Sequence, residues 1–367
     1  MKLLYITNAI HGSGGLERVL SVKASYLAEH FGYNIHILTL NSRHNQPFYK
    51  FNSSIKFHDI EVGGNPLSYL LKYKKGIRKV IKEINPDVIS VCDDGLKGLL
   101  FPIFFGKNIP VIYERHVSKQ IEFRANNISL VDKLKLKFKF LLMNFGGKRF
   151  YKFVVLTEGN LKEWNFNNLM VIPNPLPFDS LEKSELKNKK IIVVGKQSYQ
   201  KGYDRLLEIW KLVHEKFPDW ELEIYGKLDS TLGLEKKCKN LNLKNSVNFL
   251  PPVKNIQEKY KEASMYLMTS RFEGFGMVLI EAMSYGVPCI SFDCPHGPAD
   301  IINNGKDGFL VSNGDLNGFA DKLVLLIEDT KLRKSMGKLA KENVNRFNVK
   351  FVVKQWDDLF QSLKKGI

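Results

Sequence analysis

At 367 residues and 42.2 kDa the chain exceeds the size at which one hydrophobic core keeps growing, and its 44% hydrophobic content can fill two cores, so two domains are expected. No run of about 18 apolar residues occurs, and the opening MKLLYITNAIHGSGG passes from a short strand into glycines without a small-residue cleavage site, which favours a soluble cytosolic protein over a spanning or secreted one. Cysteines at 92, 238, 289 and 294 show neither paired CxxC spacing nor disulfide density and read as reduced core residues, while the net charge of +17, of which +11 falls in residues 1–180, suits nucleic acid, an anionic membrane or a phosphorylated substrate without choosing among them.

In chain order, residues 3–8 read as a strand, 12–15 as a glycine loop, 16–31 as a helix and 34–40 as a second strand, a βαβ unit. Short apolar runs bounded by turn residues add buried strands at 87–91, 111–113, 153–156 and 170–172, and a parallel sheet follows. Residues 131–152 show both a period-2 alternation from Lys133 to Phe140 and a helical set at Val131, Leu134, Phe138, Leu141, Leu142 and Phe145; the longer helical set favours a helix with its apolar side packed inward and its lysines outward. The stretch PNPLPFDSLEKSELKNKK, residues 173–190, loses periodicity and reads as a linker. The alternation then restarts with strands at 191–195, 221–225, 247–250, 265–268 and 288–292 and helices at 203–216 and 278–285, a second doubly wound domain. Residues 348–365 form an amphipathic helix with Val352, Trp356, Leu359, Phe360 and Leu363 on one stripe. Ligands in open α/β sheets sit beyond the carboxyl ends of strands, so two such domains facing each other predict a central cleft.

The segment RFEGFGMVLIEAMSYGVPCISFD carries the sharpest chemistry, with Glu273 and Glu281 separated by seven residues across a Gly-Phe-Gly turn. Gly274 and Gly276 allow close backbone approach around Phe275, and the helix that follows presents unpaired N–H groups and a positive dipole end to a diphosphate. Glu273 is placed for sugar hydroxyls; Glu281 lies inside an apolar helix, where a ribose diol would satisfy an otherwise costly carboxylate. The competing reading has Glu281 bonding a backbone group and Glu273 in solvent.

On this Glu-x7-Glu segment the chain resembles glycosyltransferase family 4, and three further features stand in the family's order: GSGGLERVL (12–20), VGKQSYQKG (194–202) and GPADIINNGKDGFLV (297–311). The resemblance implies the GT-B fold, two Rossmann-like doubly wound domains facing a central cleft: an acceptor-side domain at 1–172, the linker, a nucleotide-sugar-binding domain at 191–347, and a helix at 348–367 packing back on the first domain. It places Gly14 and Gly15 against the donor's phosphates and sugar. Lys196, where the family usually has arginine, and Lys201 would grip the leaving diphosphate. His116, in VIYERHVSK, matches the family's histidine against the donor sugar, and Asn174 a turn beside the cleft that also has an ordinary turn explanation. Asp300 of Gly-Pro-Ala-Asp is either a first-turn helix acid or a substrate contact. A dehydrogenase fingerprint fails because Glu17 stands where its third glycine belongs.

No Asp-x-Asp triplet occurs, so no metal or other cofactor is expected, and lysines and helix N-termini take that role. The resemblance implies retention by same-face attack, with no carboxylate nucleophile. The expected partners are a nucleotide-sugar donor, UDP-hexose or UDP-N-acetylhexosamine with GDP-mannose open, and a glycan or lipid-linked acceptor of lipopolysaccharide, capsule or exopolysaccharide; the basic face of 131–152 either meets an anionic membrane peripherally or is simply solvated. A nucleotide-sugar epimerase of the same architecture is the alternative enzyme; a nucleic-acid-binding protein would explain the charge but not the Glu273–Glu281 segment.

Overall fold

The computed structural model describes residues 1–43, 45–106, 108–122, 130–178 and 182–365, with backbone alone for 120, 122, 130 and 365. The elements run β1 (Lys2–Thr7), α1 (Gly15–Phe31), β2 (Asn34–Leu40), β3 (Lys56–Ile60), α2 (Pro66–Ile84), β4 (Val88–Cys92), α3 (Leu96–Leu99), α4 (Phe101–Phe105), β5 (Val111–Glu114), α5 (Leu130–Gly147), β6 (Lys152–Val155), α6 (Glu158–Leu161) and β7 (Leu169–Val171). They continue with β8 (Lys190–Val194), α7 (Tyr203–His214), β9 (Glu221–Tyr225), α8 (Leu234–Asn240), β10 (Val247–Leu250), α9 (Ile256–Glu262), β11 (Met265–Met268), α10 (Met277–Ser284), β12 (Cys289–Asp293), α11 (Pro298–Ile301), β13 (Gly308–Ser312), α12 (Leu316–Glu328), α13 (Thr330–Asn343) and α14 (Val349–Lys365). Two units emerge: unit 1 holds the described residues of Met1–Val117, Ala125–Pro177 and Val349–Ile367, and unit 2 those of Ser118–Arg124 and Phe178–Asn348.

Unit 1 is built on a seven-stranded sheet, order β3-β2-β1-β4-β5-β6-β7, with every pairing parallel. A parallel sheet must be covered on both faces, which is why its central strands read as continuous apolar runs. One face buries Tyr73, Ile77 and Val80 of α2, Leu99, Phe101 and Met143. The other buries Leu20, Ala24 and Leu27 of α1 with Val352, Trp356, Leu359 and Phe360 of the stripe expected in α14, together with Val353, while Leu363 packs there partly buried. The chain starts α2 with Asn65, whose side chain accepts from the Ser68 amide, and with Pro66 in the first turn, where no N–H is missed.

The 131–152 stretch is helical over Leu130–Gly147, but its orientation corrects the sequence reading. Val131, Leu134, Phe138, Leu141 and Phe145 are 49–67% exposed rather than packed inward. The C-terminal end of α5 is instead the docked part, because Gly146 lies so close to Leu99 that an added Cβ would stand 2.3 Å from its carbonyl oxygen. Among the described residues no helix is long and apolar enough to cross a membrane.

Unit 2 repeats the design with a six-stranded parallel sheet, order β10-β9-β8-β11-β12-β13. Trp210, Leu206 and Leu207 of α7, Phe319 and Leu323 of α12 and Met336 of α13 fill one layer of its core. The chain order reverses between β8 and β11, the switch point where loops from two adjacent strands splay apart and leave room for a ligand. All four cysteines are buried and unbridged.

Candidate active site

Two loops leave the carboxyl ends of β8 and β11 and close on each other. The first, Gly195–Gly202, carries Lys196 and Lys201; the second, Thr269–Gly276, carries Glu273. Lys201 Nζ lies 2.7 Å from Glu273 Oε1, and Ser270 Oγ donates to the same oxygen at 2.6 Å. Among the described residues Glu273 Oε2 takes no hydrogen bond, although the residue is only 6% exposed. The loops are stitched by the Arg271 amide to Gln200 O at 2.7 Å, by Gln200 Nε2 to Phe272 O at 3.1 Å, and by a two-pronged Arg271–Asp204 pair at 2.9 and 2.6 Å. Gly202 adopts φ +64° where a Cβ would stand 2.2 Å from Thr269 O, so the contact between the loops needs glycine there.

The Gly-Phe-Gly turn ends in Gly276 at φ +101°, which starts α10 with no side-chain cap. An uncapped amide end carries partial positive charge. Behind the turn, Gly297 packs so tightly that a Cβ would stand 1.9 Å from Phe275 O, which joins the 297–311 segment to the site. The Phe275 ring points into the core, edge-on to Phe347 with centroids 5.5 Å apart, so this residue can meet a ligand only through its backbone. Glu281, one turn into α10, is 2% exposed and accepts from Tyr260 Oη at 3.0 Å. The carboxylate is therefore engaged by a phenol, a partner that neither sequence reading contained. Lys196 is exposed, with no hydrogen bond or ion pair among the described residues. Asp300 sits in the first turn of α11, the helix-acid position.

In unit 1 the loops after β1 and β4 border a hollow of about 600 Å³ lined by Thr7, Asn8, Glu17, Asp93, Asp94 and Lys97 among others. Gly14 caps α1 in extended conformation, and Glu17 folds back over the loop, its carboxylate 2.4 and 2.6 Å from where Cβ atoms on Gly12 and Gly14 would stand. A carboxylate there accepts from hydroxyls and repels phosphate, so Gly14 and Gly15 suit a sugar better than a diphosphate. Deeper in the sheet, Glu114 is ion-paired to fully buried Lys23, accepts from Ser90 Oγ at 2.5 Å and lies 3.3 Å from His116 Nε2. Burial alone would raise the Glu114 pKa, but Lys23 and His116 outweigh it and hold the carboxyl at about 2. His116 is thus held at Nε2 by an ionised partner, while its buried Nδ1 has none among the described residues. Asn174, after β7, is buried in the same unit.

The family described as "Glycosyl transferases group 1" matches residues 179–343, and "Glycosyl transferase 4-like" matches residues 12–144. The amylovoran biosynthesis glycosyltransferase AmsD of Erwinia amylovora is 32% identical over 373 residues, covering 98% of this chain and 99% of its own. This chain belongs to the glycosyltransferases. Among solved structures, sucrose-phosphate synthase from Thermosynechococcus elongatus superposes with a TM-score of 0.84 at 17% identity over 100% of both chains. Anabaena HepE in complex with UDP-glucose does so with 0.78 at 19% identity over 99% of this chain and 100% of its own. At these identities the likeness speaks for the fold, which is GT-B.

Ser270 and Tyr260, which hold the two acids of this glycosyltransferase, escaped sequence reasoning, as did the Arg271–Asp204 pair. Ser270 lies three residues before Glu273 and was within reach of a local argument; Tyr260 is brought to Glu281 only by the packing of α9 on α10. One further cluster has metal-ligand chemistry: Cys92, Glu114 and His116 offer ligand atoms within 4.8 Å of one another. The Lys23 ammonium already sits on that carboxylate, and burial pushes the Cys92 thiol up, so both features oppose a cation.

Proposed function

We propose that this glycosyltransferase moves a hexose or N-acetylhexosamine from a UDP-sugar to a glycan or lipid-linked acceptor of a bacterial surface polysaccharide, with retention at the anomeric carbon. The observation that carries the reading is the Glu273–Lys201 pair beside the uncapped start of α10, at the switch point of unit 2. There one carboxylate oxygen is left for sugar hydroxyls, and cation plus amide dipoles converge where a diphosphate needs them. AmsD is by its name a glycosyltransferase of amylovoran biosynthesis, and HepE is seen in complex with UDP-glucose, which support acceptor and donor class.

In the proposed step the acceptor hydroxyl oxygen bonds to the anomeric carbon as the bond from that carbon to the diphosphate oxygen breaks on the same face. The hydroxyl proton passes to a phosphate oxygen, and UDP leaves. Lys201, Lys196 and the α10 amides stabilise the charge gathering on the diphosphate, the role a metal plays elsewhere. Glu281 takes the ribose diol alongside Tyr260. His116, held at Nε2 by Glu114, meets a sugar hydroxyl through its otherwise unpartnered Nδ1. Glu273 orients the sugar and is not a nucleophile. Incubation with UDP-glucose, UDP-galactose, UDP-N-acetylglucosamine, UDP-N-acetylgalactosamine and GDP-mannose, reading UDP or GDP release against isomerised donor, tests the proposal. Acceptor-dependent release of UDP with an α-linked product by NMR is expected; isomerised donor without acceptor would instead establish an epimerase.

A further inference from the structure

Lys23 places a charge inside the α1–α14 layer of unit 1, where packing alone has no need of one. We infer that Lys23 and Trp356 are positioning residues, which hold Glu114, and through it the His116 ring, in the pose that meets the donor sugar. The last helix of the chain is then part of the transfer machinery. This rests on the reading of His116 as a sugar contact.

The groups come together from four elements of unit 1. Lys23 shares the buried face of α1 with Leu20 and Leu27 and is 0% exposed. Among the described residues its ammonium has one hydrogen-bond acceptor, Oε2 of Glu114 on β5. The Trp356 ring of α14 lies 3.8 Å from the ammonium and the Tyr5 ring of β1 5.0 Å from it, and such ring faces attract a cation without competing for its hydrogen bond. Trp356 is kept there because its neighbour Asp357 accepts from Tyr33 Oη at 2.8 Å, which seats α14 against the end of α1.

Glu114 is in turn fixed at both oxygens. Oε1 accepts from Ser90 Oγ on β4 at 2.5 Å, and Oε2, the oxygen that Lys23 holds, lies 3.3 Å from His116 Nε2. The backbone at His116 is held separately, its amide 3.3 Å from Asp94 Oδ1 and that carboxylate 3.4 Å from Arg115. Only the ring therefore depends on Glu114. An imidazole fixed at one nitrogen presents the other in one direction, and here that is Nδ1, buried and without a partner among the described residues. Apolar side chains of the same volume usually stabilise a core as well as a buried ion pair does. What they cannot supply is an immobile, ionised oxygen behind the ring, and Lys23 with its aromatic faces supplies that.

A double-mutant cycle tests this, with nucleotide release from the five sugar donors named above and water as the acceptor. Lys23→Met should slow release about 10- to 100-fold, the cost of misplacing a reacting contact by about an ångström, with donor KM and the UDP-induced rise in Tm unchanged. Lys23→Met/His116→Ala should be no slower than His116→Ala alone, because residues that act through one another are not additive. Lys23→Met/Glu114→Gln strands no buried charge, so it should regain the melting temperature that Lys23→Met loses, but not the rate. Trp356→Phe should keep most of the turnover and Trp356→Met lose it, although both vacate similar space, since only phenylalanine keeps a ring face toward the ammonium. Three results would each overturn the positioning role and leave the sugar contact standing: losses from Lys23→Met and His116→Ala that multiply, a charge-free double variant that recovers rate with stability, or a Trp356→Met as active as Trp356→Phe. His116→Ala turning over at the wild-type rate would instead remove the sugar contact, and the positioning role with it.

Discussion

Replacing Glu281 by glutamine removes a charge from a position where shape is otherwise preserved. The residue is 2% exposed and accepts from Tyr260 at 3.0 Å, and an amide oxygen can keep that bond, so the ligand-free protein should lose only about 1 kcal/mol. Binding should suffer far more. Two hydroxyls of a ribose donating to a carboxylate rather than an amide differ by about 3 kcal/mol in total, a roughly 150-fold rise in Kd. UDP at about 100 times its wild-type Kd stabilises the wild type by about 2.7 kcal/mol, but the variant at the same concentration by only about 0.3 kcal/mol. For a unit of this size the first corresponds to a rise in Tm of about 5–11 °C and the second to about 1 °C or less, readily separated by thermal-shift fluorimetry. A Glu281→Gln protein that gains as much from UDP as the wild type would refute the ribose assignment, and with it the reason given for a carboxylate inside α10.

Lys201→Met should lower the rate of acceptor-dependent UDP release by about 10²–10³-fold, with a smaller change in donor KM, because its cation acts on charge that grows during bond breaking; an unchanged kcat rules that role out. His116→Ala should reduce transfer roughly a hundredfold while leaving the UDP-induced Tm shift intact, as expected of a residue that meets sugar and not nucleotide. Glu114→Gln leaves Lys23 buried without its partner and should cost unit 1 about 3 kcal/mol at pH 7 in urea unfolding. Since the folded-state pKa of Glu114 lies below its ordinary value of 4.5, its contribution is full above that pH and is lost as pH falls towards about 2, so the gap between wild type and variant should narrow over that window; a gap constant with pH contradicts the ion pair. Gly202→Ala, forced to φ +64° with its Cβ against Thr269 O, should destabilise by about 2 kcal/mol in the same assay.

Both sheets were legible because parallel strands buried on two faces appear as short apolar runs, and β2, β9, β10 and β11 begin and end where those runs do. The edge strand β3, KFHDI, was not, since its outer positions face solvent and its composition is polar. The helices α2, α12 and α13 and the strand β13 also went unread, the last with only part of its length buried. The site was visible in outline: Glu273, Glu281 and Lys201 lie on loops and a helix next to adjacent strand ends, so spacing along the chain carried their proximity. What spacing could not carry was the partner of each. Glu281 meets Tyr260, 21 residues upstream, and Glu114 meets Lys23, 91 residues away. Periodicity also told that α5 has an apolar face but not which way it turns; close packing of Gly146 on Leu99 decides that, and glycine leaves no mark in an apolar pattern.

Crystals of the protein grown with UDP locate the nucleotide outright. The diphosphate should lie between the Gly195–Gly202 loop and the first amides of α10, with Lys201 turned onto it and the ribose hydroxyls within hydrogen-bond distance of Glu281. A nucleotide bound anywhere else, with the Lys201–Glu273 pair and the Tyr260–Glu281 bond undisturbed, would contradict this placement.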